Sequence, residues 1–337
     1  MIQRSDRSLS VREMMRKYGI SDALRSDITE FAINGPGAFW VEDELGWHCH
    51  DNELLTLNNL QGLSAAIAVF NQKPLNRDSP IASLTLPDGE RCQIVLPPAC
   101  PDGQVLITIR KPSDVRFSID EYRESGRLNP KVAVISDTIS ESDTHMLELI
   151  AQNNFSDFFK CAVENRLNIV TVGGTGSGKT TFSKALIDLY LAYKRLFTIE
   201  DAHELTTPNH PNSVHLFFST SLNAREVLAS CMRMKPDHIF ITELRGDESW
   251  DYLMALKSGH SGSVTSVHAN DCRGAMYKIA SYIKQSDIGK TMDFSYIIRE
   301  VMTTIDVVAY FNRTKLLELY FDPWYKMRLI SGDGLVD

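Results

Sequence analysis

Apolar and polar positions follow different periods in the two halves of the chain. Up to about residue 110 the apolar runs are short and strand-like: Ala38 to Val41, Ile81 to Leu86, Cys92 to Leu96 and Val105 to Ile109. Asn34-Gly35-Pro36-Gly37 and Pro87-Asp88-Gly89 punctuate them as turns, with one longer helical stretch from Leu54 to Asn71. This half reads as an α+β unit. Before it, Val11, Met14, Met15 and Tyr18 fall at helical spacing among Arg4, Asp6, Arg7, Arg12, Glu13, Arg16 and Lys17. That predicts an amphipathic helix whose apolar face rests on its own domain; contact with a membrane surface or a partner is the other use of such a face.

Periodicity lapses between Lys111 and Ser142, where Pro112, Gly126 and Pro130 lie among charged and hydroxyl residues. Beyond this stretch, helical segments such as Asp157 to Asn165 alternate with apolar strands. The strands are Ile169 to Val172, Leu196 to Ile199, His238 to Thr242, Ser263 to Val267 and Asp306 to Phe311. Such alternation predicts a mainly parallel, doubly wound sheet. The expected organisation is a smaller α+β domain over 1–128, a linker over 129–150 and an α/β domain over 151–337.

Composition narrows the function classes. The 337 residues suit two domains, and 35 Lys and Arg against 43 Asp and Glu leave a net charge of −8. A mildly acidic chain without a basic-aromatic groove pattern is a poor fit to nucleic acid, so direct nucleic-acid binding is not expected. No apolar run approaches the roughly 18–20 residues that span a bilayer, and no secretory leader is legible. The six cysteines form no Cys-x-x-Cys pair, which fits a reducing cytoplasm. His48-Cys49-His50 would place two histidines on one strand face, but the remaining ligands of a zinc site are missing from the spacing.

The chemistry concentrates in the second half. Gly173-Gly174-Thr175-Gly176-Ser177-Gly178-Lys179-Thr180 matches G-x-x-x-x-G-K-[ST] directly after an apolar strand. Glycines let successive N–H groups converge on one anion, and the next helix adds its positive end. The loop from Gly174 through Thr181 is therefore the expected ATP site, with Lys179 on the β- and γ-phosphates and the Thr180 hydroxyl on Mg²⁺. Phe182, Ala185, Leu186, Leu189 and Tyr193 predict the buried face of that helix.

Two carboxylate positions follow at strand ends. Ile239-Phe240-Ile241-Thr242 runs into Glu243, placed to activate a water and to share the metal with Thr180 and Glu200. Glu200, Asp201 and Glu204 follow the strand Leu196 to Ile199, with Glu204 a further catalytic candidate. His268, at the end of the strand Ser263 to Val267, would face the ligand crevice and sense the γ-phosphate. Arg245 is suited either to an acid or to phosphate.

In their order these motifs resemble the RecA-like secretion ATPases, most closely the hexameric traffic ATPases of bacterial type IV secretion and conjugation systems. The carriers are the P-loop, the acidic box Ile199-Glu200-Asp201-Ala202-His203-Glu204-Leu205, the Walker B segment Pro236 to Gly246 and the histidine box Gly259 to Ala269. The N-terminal half is similar too, through Ile28 to Gly37, Gly89 to Pro98 and Thr108-Ile109-Arg110-Lys111-Pro112-Ser113. The resemblance implies a RecA-like P-loop domain and Mg-ATP hydrolysis coupled to domain motion for pilus assembly or substrate transfer. It further implies phosphate-contacting arginines at Arg91 and Arg110, and a homohexameric ring peripheral to the cytoplasmic face of the inner membrane. Its partners would be inner-membrane secretion-complex proteins and other secretion ATPases. No tetra-cysteine module is present, so a pilus-retraction motor stays open beside a nucleic-acid motor and a nucleotide-gated scaffold.

Overall fold

The computed structural model describes residues 7–112, 115–130 and 138–332. Arg4, Asp6, Ser113 and positions 131–137 of the expected linker lie outside the described residues. The N-terminal part contains α1 (Ser8–Lys17), α2 (Ile20–Arg25), β1 (Glu30–Ile33), β2 (Ala38–Asp43), β3 (Gly46–Asp51), α3 (Leu57–Asn71), β4 (Ile81–Thr85), β5 (Arg91–Val95) and β6 (Leu106–Arg110). Its strands form an antiparallel sheet in the order β3-β2-β1-β6-β5-β4. The apolar face of α1 packs on this domain: Val11, Met15 and Tyr18 join Leu60, Leu63 and Ile67 of α3 and Phe31, Ile94 and Ile107 of the sheet. The two histidines of β3 part company, His48 pairing with Asp43 at 3.1 Å and His50 stacking on Phe39.

The second part runs α4 (Ile119–Glu124), α5 (Glu141–Ala151), α6 (Phe155–Glu164), β7 (Ile169–Val172), α7 (Lys179–Ile187), β8 (Leu196–Glu200), β9 (Ser213–Phe217), α8 (Ala224–Cys231) and β10 (His238–Ile241). It continues with α9 (Glu248–Lys257), β11 (Val264–Val267), α10 (Cys272–Gln285), α11 (Phe294–Thr304), β12 (Val307–Asn312), β13 (Lys315–Tyr320) and α12 (Pro323–Ser331). The sheet order is β13-β12-β7-β11-β10-β8-β9, parallel throughout except for the β12–β13 hairpin. Strands β7, β8, β10 and β11 are buried at every position, as helices on both faces require. Successive residues feed opposite layers: Val170, Ile239 and Ile241 pack with α8 to α11, whereas Ile169 and Phe240 pack with α5, α6 and α7.

Four elements depart from the periodicity. Helix α7 ends at Ile187, so Leu189 and Tyr193 are exposed; within it Ala185 is exposed too and Phe182 half-buried, and the buried side chains are Lys179, Ser183, Leu186 and Ile187, followed by Tyr190 wedged against His238 and Phe240. Strands β9 and β13 were not anticipated, because both are edge strands with partly exposed side chains rather than apolar runs. Within the expected linker, α5 starts on a Ser140/Asp143 capping box and sends Met146 and Leu149 into the core beside Phe158 and Phe159.

The two sheets meet across a buried junction. Val95, Ala99, Cys100 and Leu106 join the core of the second sheet, and Gln93 donates to Ser230 across the boundary. Glu30 lies nearby, 2% exposed, with Arg110 at 3.5 Å and its Oε2 without a hydrogen-bond partner. Burial pushes its carboxyl up to about 7 from the usual 4.5, against the opposing pull of Arg110. The folded chain thus retains a proton that the unfolded chain releases, and stability falls as pH rises from about 4.5 to about 7. Glu30→Gln is expected to stabilise the fold at pH 8 by on the order of 1–3 kcal/mol and to lose that advantage below about pH 4.5. Denaturant titrations of both proteins at the two pH values check this; a constant difference would assign the effect to packing.

Candidate functional site

The site is built on the C-terminal edge of the parallel sheet. After β7 the chain turns through Gly173, Gly176 and Gly178, the last two at φ of 70° and 96°. A Cβ on Gly173 would lie 2.3 Å from the Phe311 carbonyl oxygen and 2.5 Å from Ser177 Oγ, so the loop is seated directly on the β12–β13 hairpin. Helix α7 then starts with Gly178 at its N-cap and no side-chain cap, leaving its first amides for a ligand. Lys179 Nζ donates to the carbonyl oxygens of Gly173 at 2.7 Å and Gly174 at 2.9 Å. Ser177 Oγ is buried without a partner. An uncapped helix start, a curled ammonium and an orphaned hydroxyl fit a phosphate chain.

Thr180 lines a small cavity beneath this loop together with Ser183, Leu205, Ile241 and Thr242, beside the end of β10. Glu243 follows β10 and is mostly buried, its Oε2 accepting from Arg245 Nη2 at 2.9 Å and its Oε1 lying 3.3 Å from His268 Nε2. Burial lowers the pKa of Lys179, and the charge of Glu243 opposes that shift, so the two groups share one electrostatic environment. Lys179, Thr180, Glu243 and His268 therefore gather along one edge, as P-loop chemistry requires.

The acidic box divides. Asp201 Oδ2 accepts from Arg245 Nη1 at 2.7 Å, which makes Arg245 a bridge from the box to Glu243. Glu200 turns inward and is fully buried. Its Oε2 accepts from the amides of Glu204 at 2.7 Å and Leu205 at 2.8 Å, and its Oε1 accepts from Thr198 Oγ1 at 2.7 Å. Burial opposes its charge, yet hydrogen bonds from His215, the Leu205 amide, Thr198 and the Glu204 amide hold the carboxyl below its usual range. Glu200 Oε2 is thus engaged by the loop and Oε1 rests against Thr198 of β8, and the Glu204 side chain is exposed.

One further feature escaped sequence reading. Glu248 Oε1 accepts from the amides of Arg245 and Gly246 at 2.6 and 2.9 Å, fixing the turn that aims Arg245; an acid three residues past an arginine was the available signal. Arg91 and Arg110 face each other across β5 and β6 and line a cavity with Lys73, Arg233, Lys235 and His260. Lys235 and His260 precede β10 and β11, so this cavity opens at the N-terminal edge of the sheet, opposite the P-loop. Within one chain neither arginine accompanies Lys179.

Residues 102–309 match the family described as type II/IV secretion system protein. The chain belongs to that family. Among its relatives, the type IV secretion system protein VirB11 of Brucella suis is 35% identical over 317 residues, covering 90% of this chain and 88% of the relative. PtlH of Bordetella pertussis is 34% identical over 312 residues, covering 90% and 91%. The crystal structure of the VirB11 ATPase from the Brucella suis type IV secretion system, in complex with sulphate, superposes with a TM-score of 0.92 at 34% identity. That match covers 96% of this chain and 98% of the other. This secretion ATPase is an ATP hydrolase of type IV secretion, and its catalytic domain is the RecA-like α/β unit that the motif order implies.

Proposed function

We propose that this ATPase binds Mg-ATP on the Gly174–Thr181 loop and couples its hydrolysis to movement of the N-terminal domain, 1–128, through the connection within 129–150. The observation that supports it most is the shared edge holding Lys179, Thr180, Glu243 and His268. Lys179 would leave its carbonyl partners for the β- and γ-phosphates, and Thr180 and Glu243 would hold Mg²⁺, which supplies charge neutralisation when bound. Glu243 would take the proton of the attacking water. His268, 3.3 Å from that carboxylate, would pass its change of charge to β11.

Arg91 and Arg110 open on the other sheet edge, so any role on phosphate falls to a neighbouring copy in a homohexameric ring. No helix of the described residues is long and apolar enough to cross a membrane. In this reading the ring is peripheral to the cytoplasmic face of the inner membrane, against secretion-complex proteins and other secretion ATPases, for pilus assembly or substrate transfer. Native mass measurement at micromolar protein with saturating Mg-ATP is expected to give a hexamer, and Arg110→Ala is expected to slow turnover with the melting transition retained. A monomer with full activity would defeat the ring and leave the P-loop assignment standing.

A further inference from the structure

Away from the P-loop, the acidic box brings together a donor set of a different kind. Glu200 ends β8, His203 sits in the loop after it and His215 lies on β9. One ligand atom from each, a carboxylate oxygen and two imidazole nitrogens, lie within 4.8 Å of one another. Glu200 Oε1 is 3.3 Å from His203 Nδ1 and 3.7 Å from His215 Nδ1. Ligand bonds of about 2.0–2.1 Å in a tetrahedron give ligand-to-ligand edges of about 3.3–3.4 Å, so the two edges from Glu200, at 3.3 and 3.7 Å, are already near that spacing.

We propose that Glu200, His203 and His215 form a binding site for a zinc-class divalent cation, with water as the fourth ligand.

Four features support the site. Two imidazoles select against Mg²⁺, which prefers six oxygen ligands, and for Zn²⁺ and its neighbours. Glu200 is held by its other oxygen on two backbone amides, so Oε1 is fixed in place before any cation arrives. His215 Nδ1 also lies 2.8 Å from Thr198 Oγ1, a hydrogen bond the cation would replace, and the imidazole proton would then sit on Nε2, 3.4 Å from Thr207 Oγ1. His203 is exposed and gives the cation and its water a way in. Among the described residues, the only side chains at ion-pair distance from the buried Glu200 carboxylate are these two histidines. A buried carboxylate without Lys or Arg is stabilised by a coordinated cation.

The cation would fasten the loop carrying Asp201 to the edge strand β9, and Asp201 holds the guanidinium that holds Glu243. The site thus braces the catalytic edge from outside the nucleotide pocket.

The test uses the full chain, metal-depleted and then titrated with Zn²⁺ against a chromophoric chelator, followed by Co²⁺ substitution. The expected result is one equivalent of Zn²⁺, and intense visible Co²⁺ bands typical of four-coordinate geometry. His203→Ala and His215→Ala are each expected to weaken Zn²⁺ binding at least ~10-fold. Lys179→Ala is expected to leave it unchanged. His203 is exposed, so its variant should fold, and circular dichroism verifies that. Zn²⁺ binding equal in the wild type and His203→Ala, weak six-coordinate Co²⁺ bands, or loss of the site in Lys179→Ala would each overturn the proposal.

Discussion

Glu243→Gln is expected to keep nucleotide binding and to lower ATP turnover by about 10²–10⁴-fold, the usual cost of removing a general base. The amide has the shape of the carboxylate, and its oxygen still accepts from Arg245 Nη2, which sits at 2.9 Å in the wild type. What it loses is the ability to take a proton from water. It also loses the negative charge that Arg245 and His268 address from two sides, so the edge should loosen slightly without disturbing the buried strand β10. Turnover at the wild-type rate would remove Glu243 from the chemistry. Asp201 and Glu204 would then become the better candidates, since Glu200 Oε2 is held by two loop amides and its Oε1 lies against Thr198 on β8.

Arg195→Ala is expected to destabilise the folded chain by about 3–5 kcal/mol. Arg195 is fully buried, and among the described residues no carboxylate lies at ion-pair distance from its guanidinium. Instead Nε donates to the Met234 carbonyl at 3.0 Å, Nη1 to Asn212 at 2.6 Å and Asn34 at 3.0 Å, and Nη2 to Thr108 at 3.4 Å. The Trp47 and Phe197 rings lie 4.9 and 5.1 Å from it, adding cation–π attraction. Burial lowers its pKa to about 10, so it remains charged near neutrality. Truncation leaves buried acceptors from both sheets without a donor and opens a cavity between them. Urea unfolding curves measure the loss; a change below about 1 kcal/mol would mean the junction is held by its apolar contacts alone.

The catalytic edge was legible because its chemistry is written in local order. A buried strand, a glycine-rich turn and Lys179-Thr180 form one continuous segment, and Glu243 and His268 each follow an apolar run whose parallel pairing is implied by the alternation of elements. Arg195 illustrates what local order cannot carry. Lys194-Arg195 before a strand reads as a solvated pair, and only the docking of the N-terminal sheet supplies Asn34, Trp47 and Thr108 around it. Glu200 is the same lesson at shorter range: the turn after its strand folds two amides onto one carboxylate oxygen, and only β9 brings His215 beside the other. Strand β9 was missed for a related reason: only Val214 and Leu216 of its five residues are buried, too weak a run to mark a strand. The P-loop helix stopped short of its apolar pattern because Tyr190 packs against His238 and Phe240 after the chain has left the helix.

Nucleotide affinity and phosphate release, measured side by side on the wild type, Lys179→Ala and Glu243→Gln with Mg-ATP, test the assignment of the catalytic edge most directly. The expected pattern is tight binding with release for the wild type, weakened binding for Lys179→Ala, and retained binding with release down at least about 100-fold for Glu243→Gln. Equal phosphate release from all three proteins would contradict it.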